Sequence, residues 1–182
     1  QIISSILNLQ YPRLKYPELQ EIFTDCKSRI QSIALVHEIL YQHDDVTKIS
    51  VTSYMNALSS SVSSLYRNPG VKILINVSPE DFGLPIHSAI PIGIIVNEII
   101  SNSFKHAFPD KTSGTIMCSV STDGKNCVLE ISNDGISPDS NFNLENYETL
   151  GISLIRSLTE QLGGQITISK ENGLSYLISF TQ

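Results

Sequence analysis

The stretch Ile95–Phe108, IVNEIISNSFKHAF, is strongly apolar, yet Glu98, Asn102, Lys105 and His106 interrupt it with an acid, an amide, a cation and an imidazole. These positions stand at i, i+4, i+7 and i+8, so a helix places all four on one face. Ile92, Ile95, Ile99, Ile100 and Phe104 cover the remainder. The pattern predicts a helix with an apolar face on a sheet and a polar stripe facing a cavity or solvent. In a cavity the stripe has a definite chemistry. An amide oxygen and a carboxylate suit Mg²⁺, which takes oxygen ligands together with water and phosphate oxygens. A lysine one turn further neutralises phosphate charge.

The flanking segments set the fold around this helix. Val51–Tyr66 reads as a helix with Tyr54, Leu58, Val62 and Leu65 inward, ended by Asn68-Pro69-Gly70. VKILINV (Val71–Val77) alternates as a strand. Pro91 sits near the start of the striped helix and Pro109 stops it. GTIMCSVSTDGKNCVLEIS (Gly114–Ser132) reads as a hairpin turning at Asp123-Gly124. Leu150–Leu162 is helical and is closed by Gly163-Gly164. QITISKENGLSYLISF (Gln165–Phe180) is a second hairpin, turning at Glu171-Asn172-Gly173. The order α β α β β α β β lacks the strict βαβ repeat of a doubly wound sheet. It predicts an α+β sandwich: a mixed sheet covered on one face by three helices, with the other face exposed or docked on a helical module.

That helical module precedes it. Ile2, Ile3, Ile6, Leu7 and Leu9 have near-helical spacing, and Pro12 and Pro17 break the run. From Glu18 to Gln42, Leu19, Phe23, Cys26, Ile30, Ile33, His37 and Leu40 advance in steps of 4 and 3, a heptad seam widened by Ile22, Ala34 and Tyr41. Two such helices cannot bury their faces alone, so a dimeric four-helix bundle completes them; the competing expectation is a helix on its own globular core. HDDVTKIS (His43–Ser50) is the joint, dividing the chain into 1–46 and 47–182.

Bulk properties bound the function. The chain has 182 residues, 41% of them hydrophobic, and a net charge of −6 with no Lys/Arg cluster, which disfavours nucleic acid. Cys26, Cys118 and Cys127 lack metal-type spacing and suit a reduced compartment. No apolar run is long enough to span a membrane. The opening QIISSILNLQ reads as the middle of a helix, so a fragment of a longer protein is expected.

Two further clusters carry chemistry. In LEISNDGIS (Leu129–Ser137), Leu129, Ile131 and Asn133 share one strand face, so Asn133 points inward with the core residues, before a turn at Asp134-Gly135. Gly151 opens a helix after a polar loop, and backbone N–H groups at a helix start suit phosphate.

Taken together, IPIGIIVNEIISNSFKHAFPD, ISNDG and LGISLIRSLTEQLGGQI resemble the N, G1 and G2 boxes of the GHKL (Bergerat-fold) ATPases, in particular the ATP-binding domain of sensor histidine kinases. QIISSILNLQ and SIALVHEILY are similar to the two helices of the dimerisation and phosphoacceptor module of the kinases whose acceptor motif reads His-Arg-x-Lys-Asn-Asn. The resemblance implies a cytoplasmic ATP-dependent histidine kinase of a two-component system. It would be a homodimer through the N-terminal helices, passing phosphate to a response-regulator receiver domain. It implies ATP and Mg²⁺ as cofactors: Asn102 as Mg²⁺ ligand, Glu98 in the metal shell or polarising the acceptor, and Lys105 and His106 near the phosphates or ribose. Asn133, Asp134 and Gly135 would line the nucleotide site, with Gly135 letting backbone approach the nucleotide. Gly151, Ile152 and the N–H groups there would receive phosphate under a lid over 137–149.

The chain departs from the family pattern at three places. The aspartate that accepts from the adenine amine is Asn133, the second glycine of the box is Ser137, and GLSY (Gly173–Tyr176) lacks the family's threonine. The acceptor histidine is expected upstream of Gln1, so autophosphorylation is not expected of this chain alone; His37, in HEILY, fits a bundle-core histidine better than an acceptor. The competing functions are a non-catalytic nucleotide-binding dimer scaffold and, through Glu98, a hydrolytic GHKL ATPase.

Overall fold

A computed structural model describes residues 16–42, 48–66, 68–80, 82–109, 113–138, 149–170 and 173–182. The helix expected over 1–10, residues 139–148 of the lid expected over 137–149, and the turn residues Glu171 and Asn172 lie outside the described residues. Helix α1 (Pro17–Gln42) is followed by β1 (Lys48–Ser50), α2 (Val51–Tyr66), β2 (Val71–Ser78), β3 (Gly83–Pro85) and α3 (Ile86–Asn102). A π-helical turn (Ser103–Ala107) extends α3. Then come β4 (Gly114–Thr122), β5 (Asn126–Asn133), α4 (Leu150–Gln161), β6 (Gln165–Ser169) and β7 (Leu174–Thr181).

The five long strands form one mixed sheet in the order β2-β4-β5-β7-β6. β2 and β4 are parallel, and the remaining pairs are antiparallel. The alternation in the strands translates directly into two faces. Ile116, Cys118, Val120, Leu129, Ile131, Ile178 and Phe180 are buried, while Met117, Glu130 and Leu177 point outward and are exposed. Helices α2, α3 and α4 cover the buried face, with Ile92, Ile95, Ile99 and Ile100 of α3 in the core. The three-helix, mixed-sheet sandwich is therefore the observed architecture. The helix α1 lies on α3 and α2, not on the open sheet face.

Three local readings needed correction. α3 begins at Ile86, so Pro91 is its sixth residue. The joint ends in β1, which pairs antiparallel with β3 just before α3 as a separate two-stranded sheet; three residues are too few to show alternation. Ser103–Ala107 is π-helical instead of a continuation of the α-helix.

Glycine decides one helix crossing. A Cβ on Gly93 would stand 1.6 Å from the Tyr54 hydroxyl oxygen. Its absence lets the buried Tyr54 ring pass α3 and donate to the Ser32 carbonyl on α1 at 3.2 Å. Burial pushes the Tyr54 phenol well up, so it stays a neutral donor.

The β4–β5 turn has its own electrostatic lock. Asp123 accepts from the Lys125 and Asn126 amides at 2.9 and 2.6 Å. Hydrogen bonds to the charged form, Asn126 first, lower the Asp123 carboxyl from 3.8 to about 2. The folded value is depressed, so its stabilisation is present above the ordinary carboxylate pKa and is lost as pH falls toward about 2. An NMR pH titration of the Asp123 carboxyl should find its midpoint near 2; a midpoint near the ordinary value would contradict this turn.

Candidate functional site

A cavity of about 420 Å³ opens between α3 with its π turn, the ends of β5 and β7, and the start of α4. Ile99, Asn102, Ser103 and His106 line one wall, Asn133, Leu174 and Tyr176 the floor, and Thr149 and Ile152 the rim beside α4. The lining is predominantly apolar with a few polar groups, the usual make-up of a small-molecule site. Burial pushes the Tyr176 phenol up to about 12, so this floor residue is uncharged.

The polar stripe of α3 divides. Asn102 and His106 line the cavity. Glu98 and Lys105 are instead held by α1. Arg29 Nε donates to Glu98 Oε1 at 2.6 Å and Nη2 to Oε2 at 2.8 Å. The pair is secluded, with side-chain exposures of 15% for Arg29 and 6% for Glu98. The bond to Glu98 raises the Arg29 pKa, outweighing the burial that opposes it. Lys105 Nζ donates to Asp25 Oδ1 at 2.6 Å. The π turn, with more residues per turn than an α-helix, moves Lys105 and His106 from the positions a continuous helix would give them.

Asn133 ends β5 buried, as strand parity predicts. Its Nδ2 donates to Ser103 Oγ at 3.2 Å and to the Leu174 carbonyl at 3.4 Å. Its Oδ1 accepts from the Gly135 amide at 3.1 Å. Those partners fix the amide's orientation, since Leu174 O can only accept and Gly135 N–H can only donate. Gly173, at φ +94°, packs so closely that a Cβ there would stand 1.8 Å from the Asn133 carbonyl oxygen.

Other expected site residues lie elsewhere or act differently. Asp134 is outside the cavity, and its Oδ1 accepts from the Thr115 amide at 2.8 Å. Gly135 does permit a close approach, but to the protein itself: a Cβ would stand 2.4 Å from the Ala107 carbonyl oxygen, which accepts from Ile136 N at 2.9 Å. Ser137, in place of a glycine, donates to the Gly173 carbonyl at 3.2 Å. Gly151 lies beside both Glu98 and Asn102, its would-be Cβ 2.7 Å from Glu98 Oε2 and 3.8 Å from Asn102 Nδ2. The Ile152 amide donates to the Thr149 hydroxyl at 3.3 Å, so Thr149 is the N-cap of α4. That cap was legible, a threonine directly before the helix. Asp25, Ser28 and Arg29 carried no such signal, because charged and small residues beside a heptad seam read as a solvated face.

Family comparisons agree with this geometry. Residues 87–181 match the family of histidine kinase-, DNA gyrase B- and HSP90-like ATPases, and residues 1–66 match a histidine kinase family. The chain is 23% identical over 157 residues to blue-light-activated histidine kinase 2 of Erythrobacter litoralis, covering 81% of this chain and 44% of that protein. It is 25% identical over 184 positions to the sensor histidine kinase PdtaS of Mycobacterium tuberculosis, covering 98% and 36%. The chain thus spans less than half the length of these curated relatives. Its fold matches the histidine kinase domain of the Erythrobacter litoralis EL346 blue-light activated histidine kinase with a TM-score of 0.77, at 19% identity and covering 99% and 94% of the two chains. It matches the Acinetobacter baumannii histidine kinase AdeS with a TM-score of 0.62, at 12% identity and covering 99% and 93%. The chain belongs to the histidine kinase-, DNA gyrase B- and HSP90-like ATPase family, and with the histidine kinase module ahead of that domain it is a sensor histidine kinase catalytic core.

Proposed function

We propose that the cavity binds ATP·Mg²⁺ and that the parent protein transfers the γ-phosphate to a histidine of the N-terminal helical module, then to an aspartate of a response-regulator receiver domain. In this reading residues 1–46 form the module, which pairs two copies, and residues 47–182 bind the nucleotide in the cytoplasm. The observation that carries it is the cavity itself: an apolar chamber with one oriented buried amide at its floor and Asn102 and His106 on its wall.

Each residue has a task in this reading. Asn133 presents a remaining Oδ1 lone pair, which accepts the adenine amine. Ile99, Ile152 and Leu174 cover the base. Asn102 would hold the metal, which supplies charge neutralisation at the phosphates when bound. One amide oxygen in the cavity fits an ion that keeps its waters and phosphate oxygens. His106 and the α4 start lie toward the phosphates. Lys105 reaches them by exchanging Asp25 for phosphate. Such transfers depend mainly on positioning and charge compensation.

Incubation of the full-length protein with γ-labelled ATP and a receiver domain is the test. Acid-labile label on the kinase, chased onto the receiver, is expected; binding without any label would contradict the kinase reading. The neutral Asn133 in place of an aspartate favours a second reading, a nucleotide-binding dimer scaffold without chemistry, and that same unlabelled outcome would support it.

A further inference from the structure

We propose that Arg29 is a positioning residue that suppresses ATP hydrolysis, by keeping the Glu98 carboxylate from serving as base to a water; the proposal rests on the ATP reading above. Glu98 stands one helical turn before Asn102, and Oε2 lies against Gly151 at the start of α4. Glu98 does not line the cavity itself, but in the ATP reading the phosphates lie at Asn102 and the α4 start, where a buried carboxylate is placed to take a proton from an attacking water. Here both of its oxygens already accept N–H bonds from one guanidinium, at 2.6 and 2.8 Å. A two-point Arg–carboxylate pair is directional as well as strong, so it fixes where the carboxylate points.

The geometry around Arg29 is preorganised. Asp25, Ser28, Arg29 and Ser32 fall on one face of α1. Asp25 pairs with Lys105, Ser28 donates to Asn97 Oδ1 at 2.6 Å, and the Ser32 carbonyl accepts from Tyr54. These three contacts hold the helix that delivers Arg29, and the availability of Glu98 depends on α1 being docked. With α1 docked, γ-phosphate is reserved for a nucleophile other than water. With Arg29 removed, water attacks the γ-phosphorus as the bond to the β–γ bridging oxygen breaks. ADP leaves with that electron pair, and the water's proton passes to Glu98 and then to solvent, giving ADP and inorganic phosphate.

Phosphate release from Mg²⁺·ATP by the 182-residue chain tests this, with Mg²⁺·ADP binding and a thermal melt run on every preparation. Arg29→Leu should raise phosphate release at least about tenfold, below the full range of a general base. Arg29→Lys, whose single ammonium leaves one oxygen open, should give a smaller rise, and it decides alone if the leucine variant does not fold. The double variant Arg29→Leu/Glu98→Gln should return to the parent rate. A merely structural arginine would not produce a gain. Folded, nucleotide-binding Arg29 variants with unchanged phosphate release would overturn the proposal, as would a gain that survives Glu98→Gln. A parent chain that binds no nucleotide would overturn the ATP reading first, and the proposal with it.

Discussion

Asn102→Ala is expected to weaken Mg²⁺-dependent ADP binding about thirtyfold, or ~2 kcal/mol, the usual cost of losing one contact to a charged partner. Asn102 is half-buried on the cavity wall, within reach of the α4 start. In the proposed site its removal takes away the amide oxygen that α3 would offer to Mg²⁺ while leaving the apolar chamber in place. The melting temperature should therefore change little. Without Mg²⁺, parent and variant should bind ADP alike; an equal loss with and without the metal would assign Asn102 to the nucleotide directly, and no loss at all would remove it from the site.

Gly93→Ala should cause the largest loss of stability, about 3 kcal/mol, at the upper end for overpacking a core. A loss of that size lowers the melting temperature by ~6–12 °C in a chain this long. The added methyl would meet the Tyr54 hydroxyl oxygen at 1.6 Å, and Tyr54 is fully enclosed between α1, α2 and α3. Tyr54→Leu costs stability alone, yet it vacates the collision. Gly93→Ala should therefore cost much less in that background, a coupling that independent sites do not show. Additive losses would place the Tyr54 ring elsewhere.

The parts of the fold that were legible share one physical basis, burial with a regular period. Alternation marked the strands and the inward Asn133, a 3.6-residue period marked α2 and α3, and the Gly163-Gly164 stop marked the end of α4. The cavity wall was half legible. Asn102 and His106 stand on it as spacing implied, whereas Glu98 and Lys105 face α1. Two long-range facts hid that division. The docking face of α1 is built from Asp25, Ser28, Arg29 and Ser32, which no hydrophobicity pattern distinguishes from a wet surface. The seam of Leu19, Cys26, Ile30, Ile33 and His37 is conspicuous, yet it lies on a different face of α1, where these residues are half-buried to exposed. The π turn has no glycine or proline to announce it, and the Ala107 carbonyl at its end is taken by the Ile136 amide, far along the chain. The family resemblance implies that Gly135 lets backbone approach a nucleotide, but its missing Cβ accommodates that same Ala107 carbonyl.

Isothermal titration of the chain with ADP, in the presence and absence of Mg²⁺, tests the nucleotide site most directly. One ADP bound per chain, tighter with Mg²⁺ than without it, is the expected result. No heat at millimolar ADP, with the protein folded, would contradict a nucleotide site in this cavity.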